Sequence, residues 1–259
     1  MATLVSDKGG GRAQYRRRFM ATRSAPVSRR HHYTPRYYLE RFQDADGALY
    51  RRDCETGAVV LGNKERFGYK NQWNTLRNPP PGYESDWAEK RIAEIDGLAS
   101  ALLTRILAGD MPADFRPIAY AISFMVHNQP RMWRELEEKH ASEVEHWTDD
   151  WRLVVMLNAA LEAAPDYVPP YYAVQAIDPA EPGLRFLTSS NPVINFENRP
   201  TMLLPVSSRH CLFLSWDPAH LRYERKSFPC GRDMVVGINQ TTLTNAWQYV
   251  YSSTPSFNP

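Results

Sequence analysis

The chain has 259 residues, 43% of them hydrophobic and 23% charged, with a formal net charge of +2; that length buries most of its unfolded surface in one large domain or two small ones. Cys54, Cys211 and Cys230 stand far apart with no C-x-x-C pair, which excludes a disulfide framework and a zinc ribbon and points to a reducing, cytoplasmic setting. The longest apolar runs, Leu153–Leu157 and Leu212–Leu214, are far short of the roughly 20 residues that cross a bilayer as a helix, so no membrane partner is expected.

Charge is unevenly distributed. Residues 1–36 carry nine Lys and Arg against Asp7 alone, a segment of +8 that leaves −6 for the remainder. With Gly9-Gly10-Gly11 and few large apolar residues before Tyr33, residues 1–30 are expected to form a disordered basic arm able to grip polyanions such as nucleic acid. Met-Ala-Thr recurs at Met1 and Met20, so residues 1–19 are read as dispensable, whatever they share with a transit peptide.

Thr34-Pro35 reads as an N-cap followed by proline at the first helical position, with Tyr38, Leu39 and Phe42 on one helical face. Leu49–Arg52 and Val59–Leu61 flank Cys54–Gly57, a polar run ending in glycine that suits a hairpin, and Asn78-Pro79-Pro80-Pro81-Gly82 is a hard break. A helix capped by Asp86, with Glu89 three residues on, is striped by Ile92, Ile95, Ala99, Leu102, Leu103 and Ile106 and stops near Gly109. A second begins at Arg116-Pro117 and bends or ends near Gln129-Pro130, before Met132–Leu136. A third is expected to carry Val144, Trp147, Trp151, Val154, Val155 and Leu161, its aromatics as core. Short β-like runs follow at Tyr171–Ile177, Arg185–Thr188, Val193–Phe196, Met202–Val206 and Cys211–Trp216. Asn239–Trp247 reads as a last helix and Tyr249–Tyr251 as a last strand. The pattern predicts a single α+β domain over residues 31–259: a central helical segment with a mostly antiparallel sheet.

Four blocks carry a family resemblance. His31-His32-Tyr33-Thr34-Pro35-Arg36-Tyr37-Tyr38-Leu39-Glu40-Arg41-Phe42 resembles the opening of the mainly bacterial, uncharacterised family DUF4238. Phe186–Val193, Pro205–Ser208, and Asn239 with Tyr249–Ser252 resemble its later blocks in order. The resemblance spans about residues 31–253 and implies membership, not an activity. Ser190 stands where the family usually carries Asp.

For chemistry, His31 and His32 precede a predicted helix N-terminus, where free N–H groups and the positive dipole end favour an anion and tend to lower a histidine's pKa. Arg36 lies in the first turn. A phosphate there has two imidazoles beside it for acid/base transfer; the competing structural reading has one histidine capping or packing. Thr188, Ser189 and Asn191 supply hydroxyls and an amide at a strand end, types that hold a ligand or a developing oxyanion, although turn chemistry accounts for them as well. Asn239 and Gln240 are equally ambiguous.

His140, Glu143 and His146 hint at a metal, but the two histidines lie about 120° apart around a helix, so no metal is expected. His210 and Cys211 point to opposite faces if both are in a strand. No G-x-S-x-G, Walker or G-x-G-x-x-G pattern occurs, and no cofactor is expected. The leading expectation is a metal-independent, nuclease-like phosphodiester hydrolase, with His31, His32 and Asn191 catalytic and Arg36, Thr188, Ser189 and Asn239 binding. Its rival is a non-catalytic nucleic-acid-binding or regulatory protein in which those residues are structural.

Overall fold

A computed structural model describes residues 30–195 and 200–259; the basic arm, apart from Arg30, and Phe196 lie outside the described residues. The chain order is β1 (Arg30–His32), α1 (Arg36–Glu40), β2 (Leu49–Asp53), β3 (Val59–Gly62), β4 (Tyr69–Asn71), α2 (Trp87–Leu107), α3 (Arg116–His127), α4 (Pro130–Lys139), α5 (Ala141–Val144), α6 (Asp149–Ala163), β5 (Tyr171–Ile177), β6 (Thr188–Ser189), β7 (Ile194–Asn195), β8 (Thr201–Ser207), β9 (His210–Ser215), β10 (Lys226–Cys230), α7 (Arg232–Asn245) and β11 (Tyr249–Ser252). The fold is α+β.

Helical spacing of apolar residues accounts for α2. Its six expected stripe residues are all buried, each fully buried Ile or Leu contributing about 1.5–3 kcal/mol, and Gly109 ends it at a φ of 89° that favours glycine. Asp86 holds the N-cap position but makes no side-chain cap bond; its backbone, at φ −103° and ψ 10°, is not in the extended conformation a cap uses, and its carboxylate meets Lys90 at 3.0 Å instead. Pro130 separates α3 from α4 as expected. The third helix breaks between Val144 and Asp149, where the Thr148 hydroxyl accepts from the Trp151 N–H and starts α6 anew. Trp151 is 42% exposed rather than core, because at 100° per residue it lies on the opposite side of α6 from the apolar face carrying Leu153, Val154 and Leu157.

Within the described residues the strands pair in three groups: β10-β5-β9-β8-β7, β3-β2-β11-β6 and β1-β4. All pairings are antiparallel except β10 on β5. β10 was not legible as a strand because it holds Pro229, which is tolerated only at a sheet edge, where β10 lies. The principal core cluster unites Tyr38, Leu103, Ile122, Leu212 and Tyr251, so helices and both larger sheets share it. Cys54, Cys211 and Cys230 are free thiols. Among the described residues no helix is long and apolar enough to cross a membrane.

Candidate functional site

The opening histidines lie in a strand. His31 pairs across to Lys70 and His32 to Tyr69, so the alternation of a strand sends their rings to opposite sides. His31 is 0% exposed; its Nδ1 accepts from the Asn74 backbone N–H at 2.7 Å and its Nε2 lies 3.9 Å from Glu89. His32 is half-buried, its ring 5.7 Å from that of Tyr69. Burial first, and the Arg36 charge second, depress its pKa from 6.5 to about 4, so it is neutral at physiological pH. The helix that follows has five residues, is led by Pro35 without a side-chain cap, and is too short to build the expected anion site. Arg36 is ion-paired with Glu65 on the surface.

The other expected site residues gather at a hydrogen-bonded knot, buried except for Asn191, which is half-buried and joins through its backbone. The Thr188 hydroxyl meets the Tyr38 hydroxyl at 2.7 Å, and Tyr38 in turn donates to the Pro205 carbonyl. Asn239 accepts from the Leu187 N–H at 2.9 Å and donates to the Arg185 carbonyl at 2.8 Å. The Ser189 hydroxyl donates to the Asn191 carbonyl at 2.7 Å, closing a local turn, and Ser190 accepts from the N–H groups of Gln248 and Tyr249 at 3.2 and 3.3 Å. All four family-like blocks therefore converge, but on backbone satisfaction. Thr188 and Ser189 are 0% exposed and Asn239 is 2% exposed. Among the described hydrogen bonds none joins Asn191 to either histidine.

Elsewhere the fold opens into a cleft of about 840 Å³, walled by the end of β1, β4 and the loop after it, α4, the start of α6 and the segment leading into β11. Six cationic side chains line it (Arg51, Arg66, Lys70, Arg77, Arg134 and Arg152) against Glu137, Asp149 and Asp150. Two of those acids are engaged: Glu137 pairs with Arg152, and Asp150 accepts from the backbone N–H groups of Arg77, at 2.8 Å, and Asn78. Six aromatics share the walls, Tyr33, Tyr69, Trp73, Trp133, Trp247 and Tyr249.

Cations and rings are stacked on one another. The Arg51 guanidinium lies 4.3 Å from the Tyr249 ring and 4.9 Å from that of Phe67; Lys70 Nζ is 4.3 Å over Trp73 and Arg134 5.4 Å from Trp247. The Trp73 and Trp133 rings are 5.1 Å apart. Arg51 Nε, Thr75 Oγ1 and Trp133 Nε1 are buried without a hydrogen-bond partner. The sequence signal for this cleft was the interleaving of basic and aromatic residues in Lys70-x-x-Trp73 and Trp133-Arg134, which is too short-range to stand out without the fold.

Of the expected trio His140, Glu143 and His146, the Glu143 side chain lies outside the described residues; His146 lies 3.0 Å from Glu145, and among the described residues no group of three metal-ligating side chains occurs. His210 bonds Ser207 at 2.9 Å while its neighbour Cys211 is fully buried, its thiol pKa pushed up by burial; the two do not form a nucleophile–base pair.

The chain matches, over residues 30–256, a family described as a protein of unknown function, DUF4238. No curated protein and no solved structure shows a match. A match over that much of the chain makes this protein a member of the DUF4238 family.

Proposed function

We propose that the protein binds single-stranded nucleic acid through the 840 Å³ cleft. The observation that carries the reading is the co-location of six cations and six aromatic rings on its walls. Backbone phosphates of a single strand are attracted by Lys and Arg, and its unpaired bases offer faces that stack on aromatic rings irrespective of sequence. Stacked Arg–aromatic pairs suit both tasks, since a guanidinium keeps its outward N–H donors while its plane lies on a ring. A duplex hides its base faces, so single strands are the favoured substrate class.

The geometry lends less to phosphodiester hydrolysis. His31 has no exposed surface and already accepts a hydrogen bond, Arg36 is ion-paired with Glu65, and among the described hydrogen bonds none joins Asn191 to either histidine. The basic arm adds electrostatic grip in this reading.

The test is a titration of a fluorescein-labelled oligothymidylate with the full-length protein by anisotropy, repeated from about 50 to 200 mM salt. The log of the affinity should fall linearly with log salt, with a slope of about −0.7 per neutralised phosphate, and the strand should remain intact after prolonged incubation. Absence of binding at low salt, or duplex binding as tight as single-strand binding, contradicts the proposal.

A further inference from the structure

Among the described residues, Arg152 is the cleft cation held in an ion pair, and its partner is Glu137 of α4. The arginine is largely enclosed, with 19% of its side chain exposed, while the glutamate is half-exposed. A guanidinium offers carboxylate and phosphate the same fork of N–H donors. On the nucleic-acid reading of the cleft, Glu137 therefore stands where a backbone phosphate has to go.

The three acids of the cleft are held in different ways. Asp150 is 5% exposed and is fixed by the backbone N–H groups of Arg77 and Asn78. Asp149 lies in the first turn of α6, where the positive end of the helix favours a carboxylate. Glu137 stands on the element with least to hold it. α4 buries none of its residues, whereas α2, α3 and α6 bury six or more each, and segments with few buried apolar contacts open at the lowest free-energy cost.

The ends of α4 also favour movement as a unit. Gln129, in extended backbone with a ψ of 145°, separates it from α3, and the break before Thr148 separates it from α6. Trp133 anchors its first turn, 5.1 Å from the Trp73 ring and packed on the apolar cluster that holds Leu76 and Leu153. Glu137 lies one turn further along the same face and is an outer tie, as is Arg134, 5.4 Å from the Trp247 ring.

We propose that Glu137 is a built-in competitor of phosphate: it latches α4 to α6 through Arg152, and a nucleic-acid strand engages Arg152 by displacing it, with α4 pivoting outward about Trp133. Breaking the latch costs the strength of one partly exposed ion pair, so its removal should raise affinity about two- to fivefold.

The test is an anisotropy titration of fluorescein-labelled oligothymidylate at about 100 mM salt with the full-length wild type, Glu137→Gln and Glu138→Gln. Glu138 is exposed on the same helix and does not line the cleft, so it controls for the general loss of one negative charge. Glu137→Gln should gain about two- to fivefold and Glu138→Gln clearly less. Glu137→Asp keeps the charge but shortens the reach, and should show part of the gain. In an Arg152→Gln background, Glu137→Gln should add no more than Glu138→Gln does, because the latch has already lost its other half. Amide hydrogen exchange in the free protein should quicken over α4 in Glu137→Gln and stay unchanged over α2.

Equal affinity of wild type and Glu137→Gln, an equal gain in Glu138→Gln, or a gain that survives Arg152→Gln overturns the latch and leaves the nucleic-acid reading standing. If no variant binds oligothymidylate but inorganic polyphosphate binds more tightly to Glu137→Gln than to the wild type, the nucleic-acid reading falls and the latch stands. Binding of neither polyanion overturns both.

Discussion

The knot around β6 and the cleft beside β4 make opposite use of polar and aromatic side chains. In the knot, Tyr38, Thr188, Asn239 and Ser190 are buried and satisfy one another or the backbone. In the cleft, Arg51, Lys70 and Arg134 lie on aromatic rings at a surface open to solvent, and Arg51 Nε and Trp133 Nε1 lack partners. The motif-bearing residues of this chain bond to one another and to the backbone, whereas the cleft of the proposed function is assembled from residues scattered between positions 33 and 249.

The comparison breaks most visibly at Asn239. Asn239→Leu strands the Leu187 N–H and the Arg185 carbonyl inside the fold, and a loss of about 2–5 kcal/mol is expected by urea denaturation. A change below about 0.5 kcal/mol would remove the knot from the account.

Asp96 is expected next, with a pH signature. Its folded-state pKa is raised from 3.8 to about 7, so the neutral form is favoured by folding; its contribution is fully present below about 4 and is lost as pH rises through 7. Asp96→Asn, neutral at every pH, should therefore gain on the order of 2–4 kcal/mol over the wild type at pH 8 and little at pH 4. His32 acts with the opposite sign. Its pKa is depressed from 6.5 to about 4, so its contribution is present above 6.5 and lost as pH falls through 4. Thermal melts of wild type and Asp96→Asn across pH 4–8 check the first directly; parallel curves would contradict it.

Much of the architecture was legible because its signals are local and periodic. The α2 stripe, Pro130, the β2–β3 hairpin and Tyr171–Ile177 fall where the sequence placed them. The misses have physical causes. The β1–β4 ladder makes His31 and His32 strand neighbours, a pairing that only a contact nearly 40 positions away could reveal. α7 starts at Arg232 instead of Asn239, because Val235, Val236 and Gly237 weaken any helical signature. The cleft was illegible for the reason the knot was conspicuous: contiguous blocks are read in a sequence, while rings and cations brought together by tertiary contacts are not.

A smaller effect sharpens the contrast at the surface. The Arg36–Glu65 pair is about half exposed on both sides, and such pairs contribute roughly 0–1 kcal/mol. Arg36→Ala should shift stability by no more than about 0.5 kcal/mol and leave oligothymidylate affinity within the range expected for one lost charge. A specific loss of binding with no stability change would place the nucleic acid on the α1 side.

The central claim is tested most directly by intrinsic tryptophan fluorescence during titration with an unlabelled oligothymidylate, comparing wild type with Trp73→Ala. Base stacking on the cleft predicts quenching in the wild type and an affinity loss of about 1–3 kcal/mol in the variant, with inorganic polyphosphate binding nearly equally to both. Equal oligonucleotide affinity for wild type and variant would contradict it, because the cleft would then hold phosphate without reading a base.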